Sequence, residues 1–147
     1  MWAEANVGLS WPMQREDTRL RVMREEEESI VRRLCAEIDH GACLADRPLG
    51  WHREHSTVVA ERDGRIVGYT TYLIRHGCMV WLETCVTGDY RGQGIGRALM
   101  EYRLAVAQRL NCQIVTGGVR EDHAAMVHLL ESLGLHACQR VPQAYGP

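Results

Sequence analysis

Three glycines alternate at positions 92, 94 and 96 of this chain, in the run Arg-Gly-Gln-Gly-Ile-Gly-Arg from 91 to 97. An apolar pattern with helical spacing begins in the same run and is carried by Ile95, Leu99, Tyr102, Val106 and Leu110. Glycine lacks a Cβ atom, so the backbone can turn sharply here and approach a bound group closely. The first N–H groups of a helix have no intrahelical partner, and the helix dipole adds partial positive charge at that end. The run therefore predicts a phosphate-binding turn before a helix, with Arg91 and Arg97 adding full charges.

Two well-known phosphate-binding motifs do not fit the spacing of these glycines. A P-loop requires Lys followed by Ser or Thr after its last glycine, whereas Gly96 is followed by Arg97 and Ala98. A dinucleotide-binding fingerprint requires Gly-x-Gly-x-x-Gly, and neither the frame from Gly92 nor the frame from Gly94 ends on a glycine. Spacing alone leaves a phosphate loop of another kind, or a plain turn that joins a strand to a helix.

A third motif does fit. The residues Arg91-Gly92-Gln93-Gly94-Ile95-Gly96 resemble the Arg/Gln-x-x-Gly-x-Gly/Ala signature of the GCN5-related N-acetyltransferases. Residues 86–90, Val-Thr-Gly-Asp-Tyr, are similar to the Val-x-Pro-x-Tyr segment that precedes this signature, with Gly88 in place of proline. In that family the loop holds the pyrophosphate of coenzyme A. The resemblance thus implies that acetyl-CoA is bound by Arg91, Gly92, Gln93, Gly94, Ile95, Gly96 and Arg97.

The order of the predicted elements agrees with the resemblance over about residues 18–141. A strand at 18–23 precedes an apolar helical stripe at 30–38, and Asp63-Gly64 and His76-Gly77 predict two hairpin turns joining three strands. After the loop and its helix come a strand at 112–119, a helix ended by Gly134, and a strand at 135–141.

The resemblance implies an α+β fold in α/β/α layers, the acyl-CoA N-acyltransferase fold. Its sheet would be mixed and mostly antiparallel, with six or seven strands flanked by helices. The chain has 147 residues, which suits one domain of this kind. We expect residues 1–17 to form an N-terminal extension and residues 18–147 to form a single N-acetyltransferase domain.

The resemblance also implies the reaction, transfer of an acetyl group from acetyl-CoA to a primary amine by direct attack in a ternary complex. An ammonium group is not a nucleophile, so a base must remove its proton. The thioester oxygen gains negative charge and requires a hydrogen-bond donor. In the family, a bulge in the fourth strand frees backbone groups for this purpose.

In this chain the fourth strand is predicted at 79–86. The backbone N–H of Cys85 or Val86 is the expected donor to the acetyl oxygen, and Glu83 is the expected catalytic base. Strict alternation would place Trp81, Glu83 and Cys85 on one face of the sheet. The plain alternative for Glu83 is a salt bridge or a solvated position.

The last predicted helix departs from the family pattern, Asn-x-x-Ala-x-x-x-Tyr-x-x-x-Gly-Phe. Alignment on Gly134 places His123 at the cofactor-contacting Asn and Leu130 at the Tyr that protonates the leaving thiolate. We expect His123 to contact the cofactor, whereas Leu130 cannot donate a proton. Other groups that could serve as the acid are His128, Tyr102, Tyr145 or water.

Composition narrows the partners and the setting. A net charge of −2 gives no electrostatic basis for nucleic-acid binding. No apolar run reaches the length of a membrane span, and the N-terminus lacks a signal-peptide pattern, so we expect a cytoplasmic protein with no membrane partner. The six cysteines contain no Cys-x-x-Cys pair, and we interpret them as small buried hydrophobic side chains.

A zinc site is the sharper interpretation of the cysteines. His76 and Cys78, and likewise His136 and Cys138, would share a face if both pairs lay on strands. The spacing matches no known zinc pattern, so we expect no metal.

The acceptor is the least determined part of the predicted function. It could be a small-molecule amine or a protein amine, with Trp51, His52, His55 and Glu83 as candidate lining residues. The acidic run at 25–28 is interpreted as the first turn of a helix, with an acidic lip for a cationic substrate as the alternative.

Dimers are frequent among members of the family, so a homodimer is also expected. The missing tyrosine leaves open a different class of function, a non-catalytic acyl-CoA-binding regulatory module, and an enzyme that uses longer acyl groups is a third alternative.

Overall fold

The computed structural model describes residues 17–37 and 55–140. The chain divides into two compact units, residues 1–117 and 118–147. The elements of the first unit are β1 (Thr18–Val22), α1 (Glu28–Glu37), β2 (Ser56–Arg62), β3 (Arg65–Arg75), β4 (Cys78–Val86), α2 (Ile95–Arg109) and β5 (Ile114–Gly117). The second unit contains α3 (Ala124–Ser132).

The described strands form one sheet of five strands in the order β1-β2-β3-β4-β5. The first four strands are antiparallel neighbours, and β5 pairs parallel to β4, so the sheet is mixed. Both predicted hairpin turns are confirmed: Asp63 and Gly64, and likewise His76 and Gly77, have positive φ angles. Two successive positive φ angles are the requirement of the tight turn whose twist matches that of the strands.

Helices pack on the sheet from both sides. On one side, Val31 and Cys35 of α1 join Val59, Tyr69 and Cys85 in a fully buried core cluster. On the other side, α2 places Arg103 over the ring of Trp81. Of the apolar stripe predicted for α2, Ile95, Leu99, Tyr102 and Val106 are buried. Leu110, its last predicted member, is exposed and lies directly after the end of the helix.

The number of strands differs from the six or seven expected. Residues 135–140 form no strand, and Val141 lies outside the described residues. These six residues are mostly exposed, with Leu135 alone half-buried, so this segment has little apolar surface with which to hold a strand in place. The α+β fold class with a mixed sheet and flanking helices is nevertheless confirmed.

Two smaller interpretations can be compared with the structure. The acidic run forms a 3-10 turn, Glu25–Glu27, that leads into α1 at Glu28. Glu27 is buried, and Arg21 holds it through two hydrogen bonds of 2.8 and 2.6 Å. The guanidinium of Arg21 lowers the pKa of the Glu27 carboxyl, so this carboxylate already has an internal partner and gives no support to an acidic lip.

Among the cysteines, Cys35 is disulfide-bonded rather than a free buried thiol, and Cys138 is exposed.

No helix in the described part of the chain is long and apolar enough to cross a membrane.

Gly68 in β3 is expected to tolerate no side chain. A Cβ atom at this position would lie 2.9 Å from the carbonyl oxygen of Cys85 in the neighbouring strand. We predict that Gly68→Ala lowers the free energy of unfolding by about 1–3 kcal/mol, measured by urea denaturation. Gly88→Ala is the control because nothing lies within 4 Å of its Cβ position. Equal stability of the two variants would contradict the packing described for β3 and β4.

Candidate active site

The central feature of the candidate site is a bulge in β4. Thr70 pairs with Thr84 and Tyr72 pairs with Trp81, so Leu82 and Glu83 together face Thr71. The backbone N–H of Glu83 donates to the Thr71 hydroxyl (3.0 Å), and the carbonyl of Glu83 accepts from the Thr70 hydroxyl (3.0 Å). Side-chain hydroxyl groups of β3 therefore bind the backbone of the bulged residue and fix its position.

The bulge reverses the alternation of β4 and corrects one prediction. Trp81 shares a face with its partner Tyr72, whereas Cys85 shares the opposite face with its partner Tyr69. Glu83 lies on the Tyr69 face, because the Tyr69 hydroxyl donates to its carboxylate at 3.2 Å. The prediction that Trp81, Glu83 and Cys85 lie on one face is therefore wrong for Trp81. An extra residue between Trp81 and Thr84 shifts the period of two by one position.

The bulge also lies where β4 and β5 stop pairing. Parallel pairing begins with Cys78 and Ile114 and ends with Trp81 and Gly117. No strand among residues 17–37 and 55–140 pairs with β4 beyond Trp81 on that side. The segment from Leu82 to Val86 thus has backbone groups on one edge that are free of sheet partners.

Alternation of backbone direction distinguishes Val86 from Cys85. The carbonyl of Cys85 points toward β3, since it lies next to the Cβ position of Gly68. The N–H of Thr87 also points that way and donates to Val67 at 2.9 Å. Successive residues of an antiparallel strand direct their backbone groups to opposite sides, so Val86 faces the open edge. Its carbonyl accepts from Arg91 Nε at 3.1 Å, and of the two predicted donors only Val86 directs its N–H to this edge.

Glu83, Tyr69 and Cys85 form a compact polar group under α1. Tyr69 is fully buried and Cys85 is 5% exposed. Burial raises the pKa of Tyr69, and the nearby Cys85 and Glu83 raise it further, so its hydroxyl remains a proton donor. Burial also raises the pKa of the Cys85 thiol to about 11. The neutral Tyr69 hydroxyl thus orients the Glu83 carboxylate. Because the pKa values of Tyr69 and Cys85 are both raised, neither neighbour becomes an anion beside it at neutral pH.

The glycine loop has the conformation that its sequence predicts. Gly92 and Gly94 have φ angles of 74° and 82°, a region that residues with a Cβ atom rarely adopt. Gly94 precedes α2, and its carbonyl accepts the first intrahelical bond, from Ala98 at 3.0 Å. The N–H groups of residues 95–97 therefore come before the first hydrogen bond of the helix and mark its positive end.

The side chains of the loop are mostly engaged with the protein. Arg97 forms an ion pair with Glu101 at 2.9 Å, and Gln93 Nε2 donates to the carbonyl of Asp89 at 3.3 Å. Ile95 is buried, so only its backbone can face a ligand. Gly96 lies against the end of β4, where a Cβ atom would be 3.8 Å from Val86 Cγ2. Loop and strand therefore meet at Val86.

Sequence reasoning missed one cation at this loop. Arg62, the last residue of β2, donates to Gln93 Oε1 and lies 5.8 Å from the ring centroid of Tyr90. Its Nε donates to the Thr18 hydroxyl at 3.0 Å, which fixes the side chain beside the loop. Arg62 lies 31 residues before Gln93, so only the sheet brings the two together. No pattern in the sequence signals this contact.

The second unit carries His123 and Leu130, two positions that the family pattern singled out. His123 is an exposed residue directly before α3, and its side chain makes no capping hydrogen bond. The predicted end of α3 is confirmed: Gly134 has a φ of 87°, and the N–H of Leu135 donates to the carbonyl of Leu130 at 3.1 Å. The side chain at 130 is thus an apolar group in the last turn of a well-capped helix, and it supplies no acid.

The other candidate acceptor-lining residues and candidate acids lie outside the described residues or in positions that do not suit those roles. Trp51, His52 and Tyr145 lie outside them, and His55 is half-buried just before β2. Tyr102 lies in the core under α2, and burial raises its pKa to about 12. Within residues 17–37 and 55–140, no group of three or more His, Cys, Asp or Glu side chains is arranged to hold a metal ion.

Known proteins resemble this chain in sequence and in fold. The model of the Acetyltransferase (GNAT) family matches residues 14–135. The L-amino acid N-acyltransferase MnaT of Escherichia coli is 25% identical over an alignment of 111 positions, and the match covers 67% of this chain. The match spans only 63% of that relative's length.

Solved structures share the fold. An acetyltransferase from Trypanosoma brucei is 26% identical, with a TM-score of 0.70 over 85% of this chain and 96% of that one. AAC(6')-Iy, solved with the bisubstrate analogue CoA-S-monomethyl-acetylneamine, is 16% identical, with a TM-score of 0.69 over 84% of this chain and 94% of that one. The family model covers most of the chain, including the glycine loop, and the chain belongs to the GNAT acetyltransferase family.

Proposed function

We propose that this protein is an acetyl-CoA-dependent N-acetyltransferase that acetylates a primary amine by direct attack in a ternary complex. The observation that carries the proposal is the junction at Val86. There a glycine-rich turn at the positive end of α2 meets the edge of β4 that has lost its β5 partner. The junction combines a place for phosphate groups with free backbone donors in one compact unit.

The loop suits the pyrophosphate of coenzyme A. In this proposal the phosphate oxygens accept from N–H groups of residues 92–97, and the positive φ angles of Gly92 and Gly94 shape the turn. Arg91 braces the loop on Val86, and Arg62 adds positive charge from β2. The AAC(6')-Iy structure with a CoA-containing analogue supports this assignment.

The chemistry follows from β4. Acetyl-CoA supplies an activated acyl group whose thiol leaving group has a pKa of about 8 to 9. Glu83 accepts a proton from the ammonium group, the resulting neutral amine attacks the thioester carbon, and the C–S bond breaks to release the thiolate of coenzyme A. Val86 N–H donates to the acetyl oxygen as it gains negative charge. Because the thiolate is a stable leaving group, the apolar Leu130 at the usual tyrosine position is compatible with turnover. His123 is retained as a proposed cofactor contact from the family pattern alone.

The acceptor is proposed to be a small-molecule amine, in keeping with the name of the Escherichia coli relative, an L-amino acid N-acyltransferase. L-Amino acids are therefore the first panel to test, followed by aminoglycosides and by peptides with free N-termini. The assay follows thiol release from acetyl-CoA. Tight acetyl-CoA binding without turnover on any amine would favour the non-catalytic acyl-CoA-binding module instead.

Glu83→Gln is expected to lower kcat by about 10²- to 10⁴-fold at neutral pH, because the variant cannot accept the ammonium proton. The deficit should shrink as the pH rises above the pKa of the acceptor amine, about 8 for an α-amino group, since the neutral amine needs no base. Steady-state kinetics from pH 6 to 10 would measure this trend.

Glu61→Gln serves as the control, because Glu61 pairs with Arg21 at 2.8 Å and belongs to β2. It is expected to retain wild-type activity at every pH. Full activity of Glu83→Gln at pH 6.5 would remove Glu83 from the mechanism.

Gly94→Val is expected to abolish acetyl-CoA binding measured by calorimetry. Valine is strained at a φ of 82°, and its side chain would enter the space proposed for the pyrophosphate. Gly64→Val controls for strain alone, because Gly64 has a φ of 72° in the β2–β3 turn. Unchanged affinity in Gly94→Val would refute the loop as the cofactor site.

The Cys85 thiol is expected to be inert, which is consistent with direct attack rather than an acyl-cysteine intermediate. With a pKa of about 11, roughly 0.1% of it is thiolate at pH 8, and this fraction rises only as the pH approaches 11. Iodoacetamide labelling of the native protein at pH 8, mapped by mass spectrometry, should modify the exposed Cys138 and spare Cys85. Rapid labelling of Cys85 would contradict its buried position.

A further inference from the structure

Arg103 is a buried cation in the second half of α2 that the proposed mechanism does not use. Its side chain is 2% exposed, and its guanidinium carbon lies 4.0 Å from the centroid of the Trp81 ring. Nη1 donates to the carbonyl of Thr71 at 3.2 Å, and within the described residues the buried Nε has no hydrogen-bond partner. Burial lowers the pKa of Arg103 to about 9, so the side chain remains positively charged at neutral pH.

Among residues 17–37 and 55–140 no carboxylate is paired with Arg103, and burying a charge without such a partner is costly. An apolar residue at position 103 would fill the same space without that cost, as Leu99 and Val106 do on the same helix. The guanidinium is therefore a feature that packing alone does not explain.

The two residues that Arg103 contacts, Trp81 and Thr71, lie on either side of the point where pairing between β4 and β5 ends. Trp81 is the last β4 residue that pairs with β5. Thr71 is the β3 residue that faces the bulge, and its hydroxyl holds the N–H of Glu83. One cation thus touches the last paired position and the residue that holds the bulge.

We propose that Arg103 is a positioning residue that keeps the β4 bulge formed and the edge from Leu82 to Val86 open for the thioester arm of acetyl-CoA. The inference rests on the proposed function, since it assigns that arm to the open edge. Arg103 follows Ile95 by about two helical turns, so α2 connects the phosphate end of the site with its thioester end.

The test separates the two ends of the ligand. The probes are acetyl-CoA and 3′-phospho-ADP, the nucleotide part of coenzyme A with its pyrophosphate but without the arm. Arg103→Met is expected to weaken acetyl-CoA binding at least tenfold in calorimetry and to change the affinity for 3′-phospho-ADP less than twofold. Arg103→Lys can reach the ring or the carbonyl but not both, so an intermediate loss is expected.

Two further variants separate positioning from general stability. Val106→Ala removes buried methyl groups from the same helix and should lower stability while leaving the ratio of the two affinities unchanged. Thr71→Val removes the hydroxyl that holds Glu83 N–H and should reproduce the selective loss of acetyl-CoA affinity without any change of charge. Arg103→Lys provides the test if Arg103→Met does not fold.

An unchanged affinity ratio in Arg103→Met and Thr71→Val would overturn the inference. Failure of the proposed function gives a different result, in which the wild-type protein binds neither probe, or Gly94→Val binds both normally.

Discussion

The candidate site depends on one irregularity, the extra residue in β4 opposite Thr71. A regular β4 would continue its ladder with both neighbours, and its backbone donors would all be used within the sheet. The bulge ends the pairing with β5 after Trp81 and turns the backbone of Val86 toward an edge without a strand. It also rotates Glu83 onto the face where Tyr69 can donate to its carboxylate. The position of Glu83, the proposed base, and the exposure of the Val86 N–H, the proposed donor, thus have the same origin.

Such an irregularity needs stabilisation, because bulged residues lose regular ladder contacts. Here the replacement bonds come from hydroxyl groups in the strand next door. Thr70 and Thr71 are both fully buried, and each bonds to a backbone atom of Glu83. Thr70 also bonds to the Thr84 hydroxyl at 2.8 Å. Two polar residues at the centre of a sheet are unusual if packing alone is considered, and binding the bulged backbone is the reason for them.

The sequence was sufficient for those parts of the fold whose cause is local. Asp63-Gly64 and His76-Gly77 specify hairpin turns through their own backbone preferences, and Gly134 specifies a helix end in the same way. The glycine loop belongs to this class, since positive φ angles at Gly92 and Gly94 are a property of the residues themselves.

Features that depend on contacts between distant segments could not be predicted in the same way. Alternation along β4 placed Trp81 with Glu83, and only the register against β3 shows that the extra residue separates them. Arg62 reaches Gln93 across 31 positions of sequence. The strand expected at 135–141 does not form over residues 135–140, most of which are exposed.

The same distinction explains why the donor half of the proposed reaction is better defined than the acceptor half. Binding a pyrophosphate requires a particular backbone conformation, and glycine at fixed positions encodes that conformation directly. Recognising an amine requires side chains that converge from separate segments, and many combinations of residues can serve. Glu83 links the donor and acceptor halves of the proposed reaction. Its backbone is held by β3, whereas its carboxylate lies on the α1 side of the sheet. A substitution at Thr70 or Thr71 is therefore expected to alter the geometry on which both halves of the proposed reaction depend.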